Sequence, residues 1–374
     1  MQKILITGSS GLIGRSLANY LSSSGYEVRQ LSRKKDYNKQ HYYFWDLNSG
    51  IIEESALIGV DHIIHLAGAG IAEKRWTVKR KREIIDSRVK STELLFNEVS
   101  KMNVKPKTFI SASAIGFYGA ATTNKIFSED DEPGDDFLGE VCKQWESYSQ
   151  KFGELGIRNV QLRFGVVLSV ESGALPKMTF PIKLGIGSAL GSGNQFVPWI
   201  HIEDVLKIIE ASILNNNLLG PYNVVSPEYK TYSEFVKAIA EKLERPLFLP
   251  NIPSFALKLA LGEMSQIILE GSKISNAVIG IRAITKEGST LDHVVMMGGD
   301  YYGDAPTIDT SKMGIGKNCF IRNAILDKNV RVGDNVIIDY KGPEKEIETE
   351  LYHIIDGIVV VPKNSYIPAN TRIE

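Results

Sequence analysis

The stretch "KILITGSSGLIGRSLANYLSSSG", residues 3 to 25, constrains the fold of this chain more than any other. "KILIT" is a short apolar, β-branched run, "GSSGLIG" follows at once, and "RSLANYLSSSG" has helical apolar spacing that ends at Gly25. The order is strand, glycine turn, helix. Gly8, Gly11 and Gly14 have separate jobs in such a unit: a tight turn, close backbone approach to a pyrophosphate, and close packing of helix on strand. Ser10, Leu12 and Ile13 complete the turn and offer their backbone to the same phosphates. An ordinary turn is the alternative, but the second strand "EVRQLS" in its expected place favours a dinucleotide.

The end of that second strand bears on which dinucleotide is held. An NAD site typically places Asp or Glu there to accept from the ribose 2′-hydroxyl. This chain has Ser32, Arg33, Lys34 and Lys35 instead. A guanidinium can fork onto a phosphate, so the expected cofactor is NADP rather than NAD. Asp36 close by argues the other way, and solvated loop charges are the bland reading.

Size and charge set looser bounds. The chain has 374 residues, enough for two or three domains, and 43% of them are apolar. Its 43 basic and 44 acidic residues nearly cancel, which gives no electrostatic reason to expect nucleic acid or an anionic membrane. There is no long uncharged apolar run, and "MQKILITGSS" enters a strand directly, so the expectation is a soluble, unexported, cytoplasmic protein. Cys142 and Cys319 lie far apart and match no metal-ligand spacing.

Further motifs fall in order after the glycine turn. "VDHIIHLAG" (60–68), "FISASAIGFYG" (109–119), "GNQFVPWIHIEDV" (193–205) and "GPYNVVSP" (220–227) follow one another, with "WDL" at 45–47. Together they resemble the extended short-chain dehydrogenase/reductase superfamily. "HLAGAGIAEKRWTVKRKREIIDSRVKST" and "DDFLGEVCKQWE" resemble its atypical, epimerase-like branch of the SulA/YfcH type. The resemblance runs from Met1 to about Gly271. It implies a Rossmann doubly wound parallel sheet with a small substrate subdomain, mainly 168–271. It also implies that Leu66, Ala67 and Gly68 lie against the nicotinamide side of the cofactor, and that Asp46 and Leu47 form the turn that meets the adenine.

The superfamily's chemistry uses a tyrosine as acid or base, a lysine that lowers its pKa and holds the ribose, and a serine that orients the substrate oxygen. Ser113 matches the serine by its place in "SASAIGFYG". The Tyr-x-x-x-Lys motif is absent: four residues before Lys143 stands Gly139, four before Cys142 stands Leu138, and four after Tyr148 stands Phe152. Tyr118 as a displaced proton donor and Lys143 as the ribose ligand are the remaining candidates, against a packed strand-end aromatic and a solvated helix lysine. On the substrate side stand Trp199, His201 and Asp204. Trp199 could stack on a sugar or base or close the core. For His201 a hydrogen bond to neighbouring backbone or to Asp204 is the plainer reading. "YSEFVKAIAEKLER" and "SFALKLALGEMSQIILEG" read as structural helices, the second running to Glu270.

From Ser272 the grammar changes. Apolar residues open six-residue units at Ile315, Ile321, Leu326, Val332 and Ile338, with Asn, Asp and Gly between them, which reads as a β-helix. "AVIGIRA", "VVMMGGDYY", "GIGKNCFIRNAILDKNVRVGDNV" and "DGIVVVPKNSYIPANTRI" resemble the C-terminal left-handed β-helix of glucose-1-phosphate adenylyltransferase, the ADP-glucose pyrophosphorylase of glycogen synthesis. That family's nucleotide loop has no counterpart here. The resemblance implies a role in self-association, and Lys363 matches an anionic-effector lysine.

The expected architecture is therefore an α/β NAD(P)-binding domain, 1–271, followed by a left-handed parallel β-helix, 272–374. "LEGSKIS" is too short for a flexible tether, and a natural fusion, a chimeric gene or an assembly error all fit. Three functions remain open: an NADP-dependent oxidoreductase or epimerase-like enzyme acting on a sugar nucleotide or small carbonyl compound, a non-catalytic NADP-binding or sensing protein, and a β-helix assembly module related to glycogen synthesis.

Overall fold

A computed structural model of the chain describes residues 1–34, 41–120, 122–123, 125–226, 228–274, 278–279, 289–296, 314–327, 329–343 and 346–374. It divides into two compact units, Met1–Ile274 and Ser275–Glu374.

The first unit is built on an eight-stranded sheet. Its strands are β1 (Lys3–Thr7), β2 (Glu27–Ser32), β3 (Tyr42–Asp46), β4 (Ile51–Ile52), β5 (His62–His65), β6 (Thr108–Ala114), then β8 (Arg158–Phe164) and β11 (Gly220–Val224); β7 (Ile126–Phe127), β9 (Val166–Leu168), β10 (Trp199–His201) and β12 (Lys273–Ile274) form small pairs outside it. The order across the sheet is β11-β8-β6-β5-β1-β2-β3-β4. All neighbours run parallel except β3 and β4. A parallel sheet needs helices over both faces, which is why its inner strands are apolar at nearly every position. Ile4 and Ile6 of β1 face one side, against Leu17 and Leu21 of α1 (Leu12–Ser23), while Leu5 faces the other with Leu95 and Val99 of α2 (Val78–Lys101).

The remaining helices are α3 (Phe137–Gln150), α4 (Ala174–Lys183), α5 (Ile202–Leu214), α6 (Tyr232–Lys242), α7 (Ser254–Leu261) and α8 (Gln266–Leu269). α6 starts where its sequence says it should: Thr231 accepts from the Glu234 amide and the Glu234 carboxylate accepts from Thr231 N, a reciprocal cap. The helix read from Ser254 to Glu270 is in fact broken. Gly262 takes φ +63°, a left-handed conformation that an α-helix cannot continue, and a 3-10 turn and the single turn of α8 follow. The first unit also extends past Gly271, because Lys273 and Ile274 pair in parallel with Ile126 and Phe127. No helix among the described residues is long and apolar enough to cross a membrane.

The second unit is a coil of short parallel strands. Ile315, Ile321, Leu326, Val332 and Ile338, which open the six-residue units, are all buried in one core. Asn318, Asn329, Asn335, Asn364 and Asn370 hold positive φ at the corners, the conformation asparagine tolerates best after glycine. Stacking is in register: Ile315 pairs with Val332 and Val332 with Ile367, Ile321 with Ile338 and Ile338 with Ile373. The last step is longer because the chain leaves the coil after Asp339. An antiparallel pair, Ile347–Glu348 with His353–Ile354, forms before Ile358–Val361 rejoins the coil beside Ala324–Leu326.

Candidate functional site

The turn from β1 into α1 is shaped by glycines. Gly8 has φ +70°, and a Cβ there would sit 2.7 Å from the Leu66 carbonyl and 2.8 Å from Ala67 N. The turn therefore lies directly on the segment that leaves β5. A Cβ at Gly14 would run into the Gly8 carbonyl, so α1 packs on the turn itself. Gly11 N donates to Gly8 O at 3.0 Å and closes the loop. Gly11 is also the N-cap of α1; it supplies no side-chain cap, and no acidic residue stands in the first turn. The amides of Leu12, Ile13 and Gly14 thus lie at a positive helix end without a side-chain acceptor, with Ser10 exposed beside them. This cradle fits the pyrophosphate of a dinucleotide.

Thr7 ties the two sides of the cradle together. Its Oγ1 accepts from Leu66 N and Ala67 N, both at 3.2 Å, and meets His65 Nδ1 at 2.8 Å. With both lone pairs used, the Thr7 hydroxyl donates to Nδ1, which leaves the proton on Nε2, 3.1 Å from the Ser91 and Thr92 hydroxyls. Burial pushes the His65 pKa down to about 3, with the Arg88 charge acting in the same direction. His65 is a neutral brace.

At the end of β2, Ser32 is half-buried and its Oγ accepts from Lys34 N at 3.1 Å, while Arg33 and Lys34 are exposed. Lys35 and Asp36 lie outside the described residues. Asp46 ends β3 and folds back on its own turn, accepting from the Ser49 hydroxyl at 2.7 Å and from Asn48 N at 3.0 Å. Those bonds, the Ser49 hydroxyl first, hold its carboxyl below the usual range. Leu47 beside it packs on the core. Leu66 and Ala67 are half-buried and Gly68 is exposed at the end of β5.

The three catalytic candidates are not brought together at an open site. Ser113 is 2% exposed, and its hydroxyl donates to Glu146 Oε1 at 2.6 Å. Arg163 grips that carboxylate from the other side and donates through Nη1 to the Tyr118 hydroxyl at 2.9 Å. Tyr118 in turn donates to Asn223 Oδ1 at 2.6 Å. Tyr118 is 3% exposed, and burial drives its pKa up to about 12, so it stays a protonated, packed aromatic. Lys143 stands apart. It is exposed on the outer side of α3, whereas Leu138, Cys142, Trp145 and Glu146 face inward. The missing tyrosine also has a steric reason in one register: a Cβ at Gly139 would run into the Gly134 carbonyl.

Glu146 and Arg163 were not singled out from the sequence, although a signal was present. Glu146 falls on the apolar stripe of its helix, and Arg163 interrupts the buried run "VQLRFGVV"; charges in such places need partners. On the substrate side, Trp199 packs edge-on to Phe235, ring centres 5.8 Å apart, and its Nε1 is buried without a partner among the described residues. His201 caps α5, with Nδ1 accepting from Glu203 N at 3.4 Å, and Asp204 is exposed in the first helical turn. In the second unit, Lys363 is exposed on the turn that follows Ile358–Val361.

Residues 4–226 match the family model described as NAD dependent epimerase/dehydratase. The chain belongs to this family. Residues 261–372 match the GLGC left-handed parallel beta-helix domain. Among relatives, the epimerase family protein YfhF of Bacillus subtilis is 40% identical over 274 residues, covering 72% of this chain and 89% of that protein. The crystal structure of human epimerase family protein SDR39U1 with NADPH is 32% identical, with a TM-score of 0.66 over 73% of this chain and 90% of that one. A nucleoside-diphosphate sugar epimerase from Corynebacterium glutamicum is 33% identical, with a TM-score of 0.57 over 72% of this chain and 58% of that one.

Proposed function

We propose that the first unit binds NADP(H) and exchanges hydride with a small carbonyl compound or a sugar nucleotide. The uncapped N-terminus of α1, set on a Gly8 turn pressed against Leu66 and Ala67, carries the cofactor half of this reading. The NADPH-bound human relative supports it, as does a β2 end bearing Ser32 and Arg33 in place of an acid. In this reading the amides of Leu12, Ile13 and Gly14 hold the pyrophosphate and Arg33 holds the 2′-phosphate. Asp46 and Leu47 border the adenine, while Leu66, Ala67 and Gly68 floor the opposite half. Bound NADP(H) supplies or accepts the hydride. Trp199, His201 and Asp204 border the substrate.

A second reading, binding without turnover, is favoured by the buried network that consumes the hydroxyls of Ser113 and Tyr118. NADPH oxidation, followed with a panel of small carbonyl compounds and sugar nucleotides, separates the two. Turnover with any of them supports the first reading. Tight NADPH binding with no turnover supports the second.

For the second unit we infer an assembly role. The strands Tyr366–Ile367 and Arg372–Ile373 each pair on one side only among the described strands, which leaves an edge that another chain can extend. Sedimentation of the intact chain across a concentration series tests this; a monomer throughout would contradict it.

A further inference from the structure

The strand order places β1 between β2 on one side and β5 on the other, so the crevice for a dinucleotide opens at the switch between β1 and β5. With the pyrophosphate on α1 and the adenosine half over β2 and β3, the other half extends over the ends of β5 and β6. Arg88 stands there. It reaches from α2 to the end of β5, where its Nη1 donates to Ala69 O at 3.1 Å and to Ile84 O at 2.9 Å. Its guanidinium carbon lies 4.8 Å from the centre of the Trp145 ring. Gly68 makes room for it: a Cβ there would lie 3.1 Å from that carbon and 3.3 Å from Nε.

What sets Arg88 apart from the other inward-facing arginines described in this unit is a combination: no carboxylate partner among the described residues and a buried Nε without an acceptor. Arg163 has Glu146, Arg80 has Glu73 and Glu83, and Arg29 has Glu27. Arg158 has no carboxylate, but its two terminal nitrogens meet four oxygen acceptors. Arg88 has no ion-pair partner among the described residues, only two carbonyls on one nitrogen, and a buried Nε without a partner. Arg88 is half-buried, and a guanidinium nitrogen that is buried without an acceptor is costly unless a ligand brings one. α3 offers no cation on this side, since Lys143 faces outward.

We propose that Arg88 is a cofactor-binding residue whose guanidinium donates to oxygen acceptors in the nicotinamide-ribose half of NADP(H). It thereby supplies from α2 the charge that α3 lacks. The inference rests on the NADP(H) reading above.

Calorimetric titration of NADPH and of 2′,5′-ADP, which lacks the nicotinamide half, separates the two claims. In Arg88→Met the aliphatic stem stays over Gly68 and Trp145, and NADPH should weaken about tenfold or more while 2′,5′-ADP stays within about twofold. Arg88→Lys keeps the charge and covers the case of a Met variant that does not fold; NADPH should weaken about threefold with 2′,5′-ADP unchanged. If both ligands keep parental affinity in the variants, or weaken in equal proportion, Arg88 is only a brace between Ala69 and Ile84 and the proposal falls. If the parent chain binds neither ligand, the NADP(H) reading itself falls, and with it the assignment of Arg88.

Discussion

Arg163 and Glu146 form a two-pronged ion pair in the interior, Nε to Oε1 at 2.8 Å and Nη2 to Oε2 at 2.9 Å, with side chains only 3% and 4% exposed. The pair joins β8 to α3, and through Ser113 and Tyr118 it reaches β6 and the turn beyond it. Arg163 also lies over the Phe117 ring, 3.5 Å from its centre. The hydroxyl that the superfamily pattern assigns to chemistry, that of Ser113, is here spent on a buried charge, as is that of the displaced candidate Tyr118.

Breaking such a pair leaves one ion buried and uncompensated. Glu146→Gln should destabilise the first unit by about 3–5 kcal/mol, read from urea unfolding. A loss under about 1 kcal/mol is what a solvent-screened pair would give, and would mean that water reaches this carboxylate.

The buried histidines give stability a pH dependence. Burial pushes His65 down to about 3 and His62 down to about 4, Asp61 opposing the shift at His62. Both folded-state values lie below the unfolded value near 6.5. Their contribution is therefore fully present above about pH 6.5 and is lost as pH falls toward 3–4, by up to about 1.4 kcal/mol per pH unit for each histidine. Urea unfolding at pH 7.5 and pH 5.5 should show this drop. His62 has no partner on either ring nitrogen among the described residues, so His62→Leu should hold at pH 7.5 and lose less at pH 5.5. An unchanged pH response in that variant would assign the effect elsewhere.

The glycine turn allows a sharper test of packing. Gly14→Ala forces a methyl group into the Gly8 carbonyl, so α1 must lift off its own turn. Thermal unfolding should fall by several degrees, and NADPH affinity by at least about tenfold. Parental values for both would mean that the turn has slack that the contacts do not suggest.

How much of this could be read from the sequence varies with the range of the interaction. "GSSGLIG" between a strand and a helix is local, and its turn geometry follows from three glycines. The six-residue rhythm from Ile315 to Ile338 is also local, and every one of those residues is in the core. The break at Gly262 was equally local, but the apolar spacing on either side of it masked the glycine. Long-range pairings left no such trace. Nothing in "SKIS" announces that Lys273 and Ile274 pair with Ile126 and Phe127, and nothing near Asp339 fixes where the chain rejoins its coil. Ser113 was found by motif, but its partner Glu146 stands 33 residues away on another element, so the direction of its hydroxyl was not legible.

The two units have separate cores, clusters on both faces of the sheet in the first and one cluster inside the coil of the second. Calorimetry of the intact chain should therefore show two transitions, and NADPH should raise only one of them. One cooperative transition that moves as a whole would mean that the units melt together.

The most direct test of the central claim is a fluorescence titration of NADPH and NADH into the intact chain and into Arg33→Ala. The intact chain should bind NADPH more tightly than NADH by at least about tenfold, because each charge-assisted contact to the 2′-phosphate contributes about 1.5–3 kcal/mol. Arg33→Ala should remove that preference and leave NADH nearly unchanged. Equal affinity for the two cofactors in the intact chain, or a preference that survives the loss of Arg33, would contradict an NADP site at the end of β2.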